Sequence, residues 1–261
     1  MKIKAFVNHI LKRYPLDCQE KWDESGLLSF FDQGQDITSC VICLDITENV
    51  VDQALRQNAQ IIISHHPIFQ KNPDHPINKK EQTIIKRLQD TQISCLCLHT
   101  CYDNNKKGMN VVLAQILGFK NFRWFKNDIN NEFIMIDLPC GMSVKQIADV
   151  FKTKVKHCQM FITNINDDSR LFRHLAICAG SGYDVLSKTF DGNLDSSATL
   201  FITGDLKYHN WLTINQFSLY FLDVGHEVEN IFVDTIDQYL KQRFHNIRIT
   251  KIYSEVKKYV I

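Results

Sequence analysis

Three short apolar runs in the chain each lead into a polar segment that carries histidine. The runs occupy residues 61–63, 95–98 and 219–222. The polar segments that follow them occupy residues 64–67, 99–103 and 223–229. A short apolar run bounded by turn residues is typical of a buried strand. We therefore predict three strands that end in segments with imidazole and carboxylate side chains.

Apolar residues at helical spacing lie between these runs and predict an alternating order. Residues 3–12 predict an opening amphipathic helix, and residues 41–45 predict a strand. Thr47 is placed to cap a helix over 48–58 that leads into the strand at 61–64. A strand, a helix and a second strand in this order form a βαβ unit with parallel strands and a right-handed crossover.

The second half of the chain repeats the same order of elements. Strands are predicted at 175–179, 199–202 and 219–223, with a helix at 184–190 after the first. Such an echo indicates a degenerate internal duplication. The predicted fold class is therefore α/β with two similar lobes, residues 1–125 and residues 126–261, divided near 126–128 where charge and asparagine accumulate. We expect a metal site in the cleft between the lobes.

Composition narrows the function classes. The 261 residues are 44% hydrophobic and 23% charged, with a formal net charge of +1. A near-neutral chain has no global field toward nucleic acid or an anionic membrane, so we expect a small-molecule substrate and no nucleic-acid partner. No stretch approaches the ~20 apolar residues of a membrane span, and no signal-peptide core follows the first residues. We expect a cytoplasmic protein without membrane association.

The cysteines do not indicate a disulfide framework. The chain has nine, an odd number, and it is long enough to build a core without covalent staples. Cys40 and Cys43 have CxxC spacing, but they lie inside a predicted strand, where cysteine acts as a small hydrophobe. Cys95, Cys97 and Cys101 surround His99, and a thiolate metal ligand there stays an alternative to the structural interpretation.

The histidine segments favour a divalent-metal site, because imidazole and carboxylate are ligands that Zn, Fe and Mn share. Pro67 disfavours a helical conformation for His66, so the pair His65-His66 is expected to be extended. Consecutive extended residues point to opposite sides, and we therefore expect the two imidazoles to serve different ions. Asp103 is a candidate bridge between two such ions, and His226 with a following carboxylate would complete the shell.

Other interpretations stay open for several residues. Asp103 is also placed to cap a helix over 104–115, and His99 is also placed to be only a supporting partner of a ligand. The turn 180–182, Gly-Ser-Gly, suits either a phosphate cradle or a plain turn. In the segment 203–209, Lys207 would meet a substrate phosphate and His209 would act as acid or base, or the segment is a polar loop without substrate contact.

Taken together, these segments resemble the GTP cyclohydrolase I type 2 homolog family, also called the Nif-three-like or YbgI-like family. The resemblance covers nearly the whole chain. It is carried by residues 22–27 (WDESGL), 44–45 (LD), 64–69 (SHHPIF), 99–103 (HTCYD), 108–110 (GMN), 180–182 (GSG), 203–209 (TGDLKYH) and 225–226 (GH), in this order.

The resemblance implies a two-lobed α/β fold, a dinuclear metal centre and a toroidal homohexamer. The metal ligands that it implies are His65, His66, Asp103 and His226. The last ligand of the family is a glutamate four residues after the final histidine, and here that position holds Asn230. Glu229 lies one residue earlier, and we predict Glu229 as the fifth ligand because a carboxylate also offsets the charge of the ions.

Two function hypotheses follow. The first is a metal-dependent hydrolase with two divalent ions per subunit, Zn, Fe or Mn, that acts on a nucleotide or a phosphorylated small molecule, with His209 as the catalytic acid or base. Ring opening of GTP is what the family name suggests. The alternative is a non-catalytic metal-binding or ligand-binding regulatory protein, because fold and metal site do not fix a substrate.

Overall fold

A computed structural model describes residues 1–30, 34–69, 77–126, 131–156, 158, 161–188 and 195–254. Its strands are β1 (Gly26–Leu28), β2 (Ser39–Cys43), β3 (Ile61–Ser64), β4 (Ser94–Cys97), β5 (Arg123–Lys126), β6 (Asn131–Met142), β7 (Ile162–Thr163), β8 (Phe172–Ile177), β9 (Thr199–Thr203), β10 (Phe221–Asp223) and β11 (Arg248–Ile252). Its α-helices are α1 (Ile3–Arg13), α2 (Glu48–Arg56), α3 (Lys79–Asp90), α4 (Thr100–Asp103), α5 (Met109–Leu117), α6 (Val144–Lys154), α7 (Tyr183–Ser187), α8 (Tyr208–Gln216) and α9 (Ile231–Arg243).

The chain divides into two compact units. The first unit comprises Met1–Asn105 together with Phe232–Ile261, and the second comprises Lys106–Ile231. Within the described residues, no helix has both the length and the apolar character needed to cross a bilayer.

The first unit contains a five-stranded sheet in the order β1-β4-β3-β2-β11. The strands β4, β3, β2 and β11 run parallel, and β1 pairs antiparallel with β4. The predicted βαβ unit is confirmed, since α2 connects β2 to β3 and the Thr47 side chain accepts a hydrogen bond from the Val50 N–H at its N-terminus. All residues of β2, β3 and β4 are buried, which agrees with their apolar runs.

The second unit contains a six-stranded sheet in the order β5-β6-β8-β9-β10-β7. The predicted parallel strands are its centre, because β8, β9 and β10 pair in parallel. Antiparallel neighbours that periodicity did not predict, β6 and β7, flank them. The predicted helix over 184–190 is the shorter α7, and residues 189–190 lie outside the described part of the chain. Phe201 and Phe221 stack at 5.0 Å between ring centroids in the core of this unit.

The division into units differs from the predicted boundary between residues 125 and 126. The chain passes to the second unit after Asn105 and returns to the first at Phe232. The return has a physical reason: β11 pairs in parallel with β2 along its full length, from Arg248 opposite Ser39 to Ile252 opposite Cys43. Residues 127–128, where charge and asparagine accumulate, lie outside the described residues.

Candidate metal centre

The register of the first sheet brings three polar segments to one edge. Cys43 pairs with Ser64, and Ser64 pairs with Cys97, so β2, β3 and β4 end side by side. Hydrogen bonds continue the ladder beyond the strands, from the His66 N–H to the Leu44 carbonyl at 2.9 Å. The carboxyl ends of parallel strands are where α/β sheets place ligands. The residues that follow each strand are therefore candidate site residues.

The backbone bends directly after β3, and this bend changes the expected direction of one histidine. The Ser64 hydroxyl donates a hydrogen bond to the His66 carbonyl at 2.9 Å. The rings of His65 and His66 have centroids 5.0 Å apart. The expectation that the two imidazoles point to opposite sides is therefore wrong, because strand alternation ends at Ser64.

A third imidazole joins this pair. One ring nitrogen from each of His65, His66 and His99 lies within 4.8 Å of the other two. His65 is fully buried, and the other two rings are partly exposed. Sequence reasoning gave His99 no more than a supporting role. Three imidazoles at this spacing form a donor set that divalent transition metals bind.

Each of these rings has its Nδ1 atom held by an oxygen. The pairs are His65 with the Leu98 carbonyl at 2.9 Å, His66 with Asp45 Oδ1 at 2.7 Å, and His99 with Asp23 Oδ1 at 2.8 Å. Carbonyl and carboxylate oxygens only accept hydrogen bonds, so Nδ1 carries the proton in each pair. A neutral ring then presents the lone pair of Nε2, which is the usual arrangement of a metal-ligating histidine.

Asp23 is a buried carboxylate that the sequence showed only as part of the segment 22–27. Its Oδ2 accepts hydrogen bonds from the hydroxyls of Ser25 and Thr100, each at 2.6 Å, and from the Thr100 N–H at 3.0 Å. Burial by itself would raise the pKa of Asp23, but the hydrogen bonds from His99, Ser25 and Thr100 outweigh it. They hold the pKa of this carboxyl well below its usual range.

Asp103 lies beside the imidazoles. It is the last residue of the short helix α4, which begins directly after His99, and its Oδ1 atom is 3.6 Å from His65 Nε2. The alternative role of Asp103 as a helix cap is wrong, because α5 begins only at Met109 with Gly108 as its N-cap. Asp103 therefore places a carboxylate beside the His65 imidazole, and its role as a ligand stays a prediction.

The cysteines around this cluster are structural. All nine are free, and Cys95, Cys97 and Cys101 are buried. Burial raises the pKa of the Cys101 thiol to about 12 and that of the Cys97 thiol well above its usual value. Among the described residues, the candidate metal-binding groups contain no cysteine. The structure thus favours the interpretation of these residues as small hydrophobes.

In the second unit, His226 and Glu229 form a pair. The expected loop is a 3₁₀ helix, His226–Asn230. Since this helix has three residues per turn, side chains three apart lie on one face. Glu229 Oε2 is accordingly 2.8 Å from His226 Nε2, and Asp205 Oδ2 is 2.6 Å from His226 Nδ1. Glu229 is buried, as is Asn230, whose side-chain amide donates to the Glu227 carbonyl at 3.2 Å.

The Gly-Ser-Gly turn provides space for this glutamate. Gly180 has a φ of +68°, and a Cβ atom built on it would lie 2.0 Å from Glu229 Oε1. The Gly182 N–H donates to Thr203 Oγ1 at 2.8 Å, and the Gly204 N–H donates to the Gly180 carbonyl at 2.7 Å. These internal hydrogen bonds favour the plain turn over the phosphate cradle.

His209 differs from the histidines described above in its exposure. It is an exposed residue in the first turn of α8, and its ring contacts the ring of Tyr208 at 5.4 Å between centroids. Lys207 is exposed as well. The catalytic role of His209 stays a prediction.

The fold and the donor groups define a class: an α/β protein with two mixed sheets and imidazole and carboxylate clusters suited to divalent metal ions. Sequence comparison makes this specific. The profile of the Duf34/NIF3 family (NGG1p interacting factor 3) matches residues 1–258. The chain belongs to this family.

Relatives and solved structures agree with this assignment. The chain is 35% identical to a GTP cyclohydrolase 1 type 2 homolog of Ureaplasma parvum, over 98% of this chain and 97% of the relative. It is 32% identical to a protein of the same name from Campylobacter jejuni, over 92% of each. The fold is similar to that of Staphylococcus aureus protein SA1388, with a TM-score of 0.83, 21% identity and coverage of 100% and 99%. Reduced HcgD from Methanocaldococcus jannaschii gives 0.82 at 20% identity, over 96% and 97% of the two chains.

Proposed function

We propose that the protein binds two divalent metal ions and is a metal-dependent hydrolase acting on a nucleotide or another phosphorylated small molecule. The observation that carries this proposal is the imidazole cluster at the ends of β3 and β4, in which every ring has its Nδ1 held by an oxygen. The proposed ligands are His65, His66, Asp103, His226 and Glu229.

The chemistry of the donors fits such ions. Neutral imidazoles bring no charge, so the two carboxylates, Asp103 and Glu229, would offset part of the charge of the metal. The donor set of imidazole and carboxylate suits Zn, Fe and Mn alike, and it does not include a thiolate.

When bound, the ions would supply Lewis acidity toward water and toward the bond under attack. The chain itself would orient His66 through Asp45 and His226 through Asp205, each of which accepts a hydrogen bond from the histidine Nδ1. His209 is the proposed proton-transfer residue. A nucleotide substrate is supported by the name of the relatives, GTP cyclohydrolase 1 type 2 homolog, which states homology to a nucleotide enzyme.

The first experiment measures metal content per subunit by plasma mass spectrometry. The wild type and the His65→Ala and His174→Ala variants would be purified without chelators or a histidine tag. His174 is a matched control, since its Nδ1 atom also contacts a carboxylate, Asp137, at 2.8 Å. We expect close to two ions in the wild type and in His174→Ala, and a sharp loss in His65→Ala. A wild type that stays metal-free after reconstitution with Zn, Mn and Fe(II) contradicts the proposal.

The second experiment separates the hydrolase from a non-catalytic metal-binding protein. The metal-loaded protein would be screened against nucleotides and phosphate esters beside control metallohydrolases. Turnover that His209→Ala reduces while metal content stays constant supports the hydrolase and the role of His209. Full metal loading without turnover of any substrate favours a regulatory or metal-binding function instead.

We further propose a homohexamer, as the resemblance to the family implies. Light scattering coupled to size-exclusion chromatography measures the mass directly. The subunit mass is 30.4 kDa, so a hexamer and a monomer are readily separated by this method.

A further inference from the structure

We propose that His99 is itself a metal ligand, the third imidazole of the first unit, and that Asp23 is the residue that positions it. This inference rests on the proposed metal centre and adds a ligand to the five named above. The interpretation of His99 as a supporting residue would leave its Nε2 atom without a role at the cluster.

Distances within the cluster support this assignment. The ring centroid of His99 lies 5.3 Å from that of His65 and 5.5 Å from that of His66. The separation of His65 and His66, 5.0 Å, is nearly the same. Two imidazole nitrogens on one ion lie at most about 4.2 Å apart, twice a metal–nitrogen distance of about 2.1 Å. The ring nitrogens of the three histidines lie within 4.8 Å of one another, so a small approach of the rings would bring them onto one ion.

Hydrogen bonds fix both the ring and the backbone of His99, as is usual for a metal-ligating histidine. Its ring is anchored to Asp23, whose side chain is fully buried. Its backbone N–H donates to the Ser25 hydroxyl at 3.0 Å, and the same hydroxyl donates to Asp23. Ring and backbone are therefore fixed by one short segment. A buried carboxylate that orients an imidazole through Nδ1 is the usual outer partner of a metal-bound histidine.

A second histidine–aspartate pair shows the contrast. His174 contacts Asp137 at the same distance of 2.8 Å, but the Asp137 side chain is 57% exposed. An exposed pair of this kind costs side-chain entropy and contributes little, so it does not fix a ring. Because Asp23 is buried and Asp137 is exposed, the His99 ring is held in one orientation and the His174 ring is not.

The test compares metal-loaded wild type with His99→Gln, and with His174→Gln as the matched control. X-ray absorption on the zinc-loaded proteins counts the imidazoles per ion, and competition with a chromophoric chelator measures zinc affinity. We expect His99→Gln to lose imidazole scattering and to bind zinc at least about 10–100-fold more weakly, the range found for outer partners of metal ligands. His174→Gln should match the wild type.

Two further variants keep the inference testable if His99→Gln folds poorly. Asp23→Asn retains the imidazole but weakens its anchor, and we expect an affinity loss of about 10–100-fold. His99→Gly leaves space for free imidazole, which should restore zinc affinity in proportion to its concentration.

The outcomes distinguish the inference from the proposed function. Full metal binding by the wild type, with the same imidazole count and affinity in His99→Gln, overturns the role of His99 and leaves the metal centre intact. A wild type that binds no metal overturns the proposed function itself. Restoration by imidazole in His99→Gly, with no effect in His65→Ala at the same concentration, assigns the rescue to the His99 position.

Discussion

At the scale of single residues, buried oxygens decide which nitrogen His65 and His99 offer. Asp23 does so for His99, and the backbone carbonyl of Leu98 does so for His65. The Asp23 side chain is buried, and its carboxylate accepts hydrogen bonds from the hydroxyls of Ser25 and Thr100. We therefore expect Asp23 to stabilise the fold in addition to holding the His99 ring.

Replacing Asp23 by Ala should lower the free energy of unfolding by about 3 kcal/mol at pH 7, because several buried donors lose their acceptor. Chemical denaturation of the metal-free protein measures this. Asp137→Ala removes an exposed partner of His174 and should cost less than about 1 kcal/mol. An equal loss of unfolding free energy in the two variants would show that the burial of Asp23 does not increase its contribution to stability.

The contribution of Asp23 should depend on pH in one direction. Its pKa in the folded protein lies well below that of the unfolded chain, about 3.9. The stabilisation is therefore complete above about pH 5 and declines as the pH falls below about 4. We expect the difference in unfolding free energy between wild type and Asp23→Asn to be constant from pH 5 to pH 7 and to shrink under acid. A difference that grows toward low pH would contradict the depressed pKa.

Glu229 and Asn230, the two candidates for the last ligand, give another prediction. Glu229→Gln should lower the metal content, because it removes the carboxylate 2.8 Å from His226. Asn230→Ala should keep the metal content, since the Asn230 amide is engaged with the Glu227 carbonyl. Plasma mass spectrometry on both variants decides between them. Metal loss in Asn230→Ala alone would make Asn230 the ligand.

At the scale of elements, the site depends on strand ends and tight turns. The common register of β2, β3 and β4 places three segments at one sheet edge, whatever their side chains are. In the second unit, the turn after β9 is equally constrained, because a Cβ atom on Gly204 would meet the Gly225 backbone at 2.8 Å. Backbone atoms cannot yield as a flexible side chain does.

Gly204→Ala should therefore destabilise the second unit by about 1–3 kcal/mol, the usual cost of overpacking. Thermal unfolding followed by circular dichroism measures this. Lys145→Ala, an exposed position in α6 of the same unit, should stay within about 0.5 kcal/mol of the wild type. A Gly204→Ala protein as stable as Lys145→Ala would show that the turn has room for a side chain.

Periodicity predicted part of these elements and missed others for physical reasons. The order of β2, α2 and β3 is readable because buried parallel strands are continuous apolar runs. The contact of Asp23 with His99 spans 76 residues, and no local pattern encodes it. The chain bends at His65-His66, where the Ser64 hydroxyl donates to the His66 carbonyl, so the regular alternation of a strand gave the wrong ring direction.

At the scale of the whole molecule, the chain crosses between its two units twice. The second unit is one continuous stretch, Lys106–Ile231, whereas the first needs both ends of the chain. The C-terminal strand β11 covers the edge of β2, which is buried along its full length. The sequence predicted two consecutive lobes, 1–125 and 126–261. It could not show that β11 returns to the first unit, because β11 pairs with β2, which lies some 200 residues earlier in the chain.

A fragment of residues 106–231 should therefore fold alone and unfold cooperatively, while a chain that ends at residue 231 should not complete its first unit. Without β11, the apolar strand β2 becomes an open sheet edge, which promotes aggregation. Limited proteolysis and light scattering on both fragments, with the full chain as reference, test this. Cooperative unfolding and protease resistance of residues 1–105 in the shortened chain would contradict it.

The 3₁₀ helix at His226–Asn230 has a consequence for how related sequences are searched. In an α-helix, residues four apart are neighbours on one face, and in a 3₁₀ helix residues three apart are. A sequence pattern that requires a glutamate four positions after the histidine therefore assumes that the two residues lie on an α-helix. In this chain the 3₁₀ turn brings Glu229, three positions after His226, to 2.8 Å from His226 Nε2. Searches for such sites should accept both spacings.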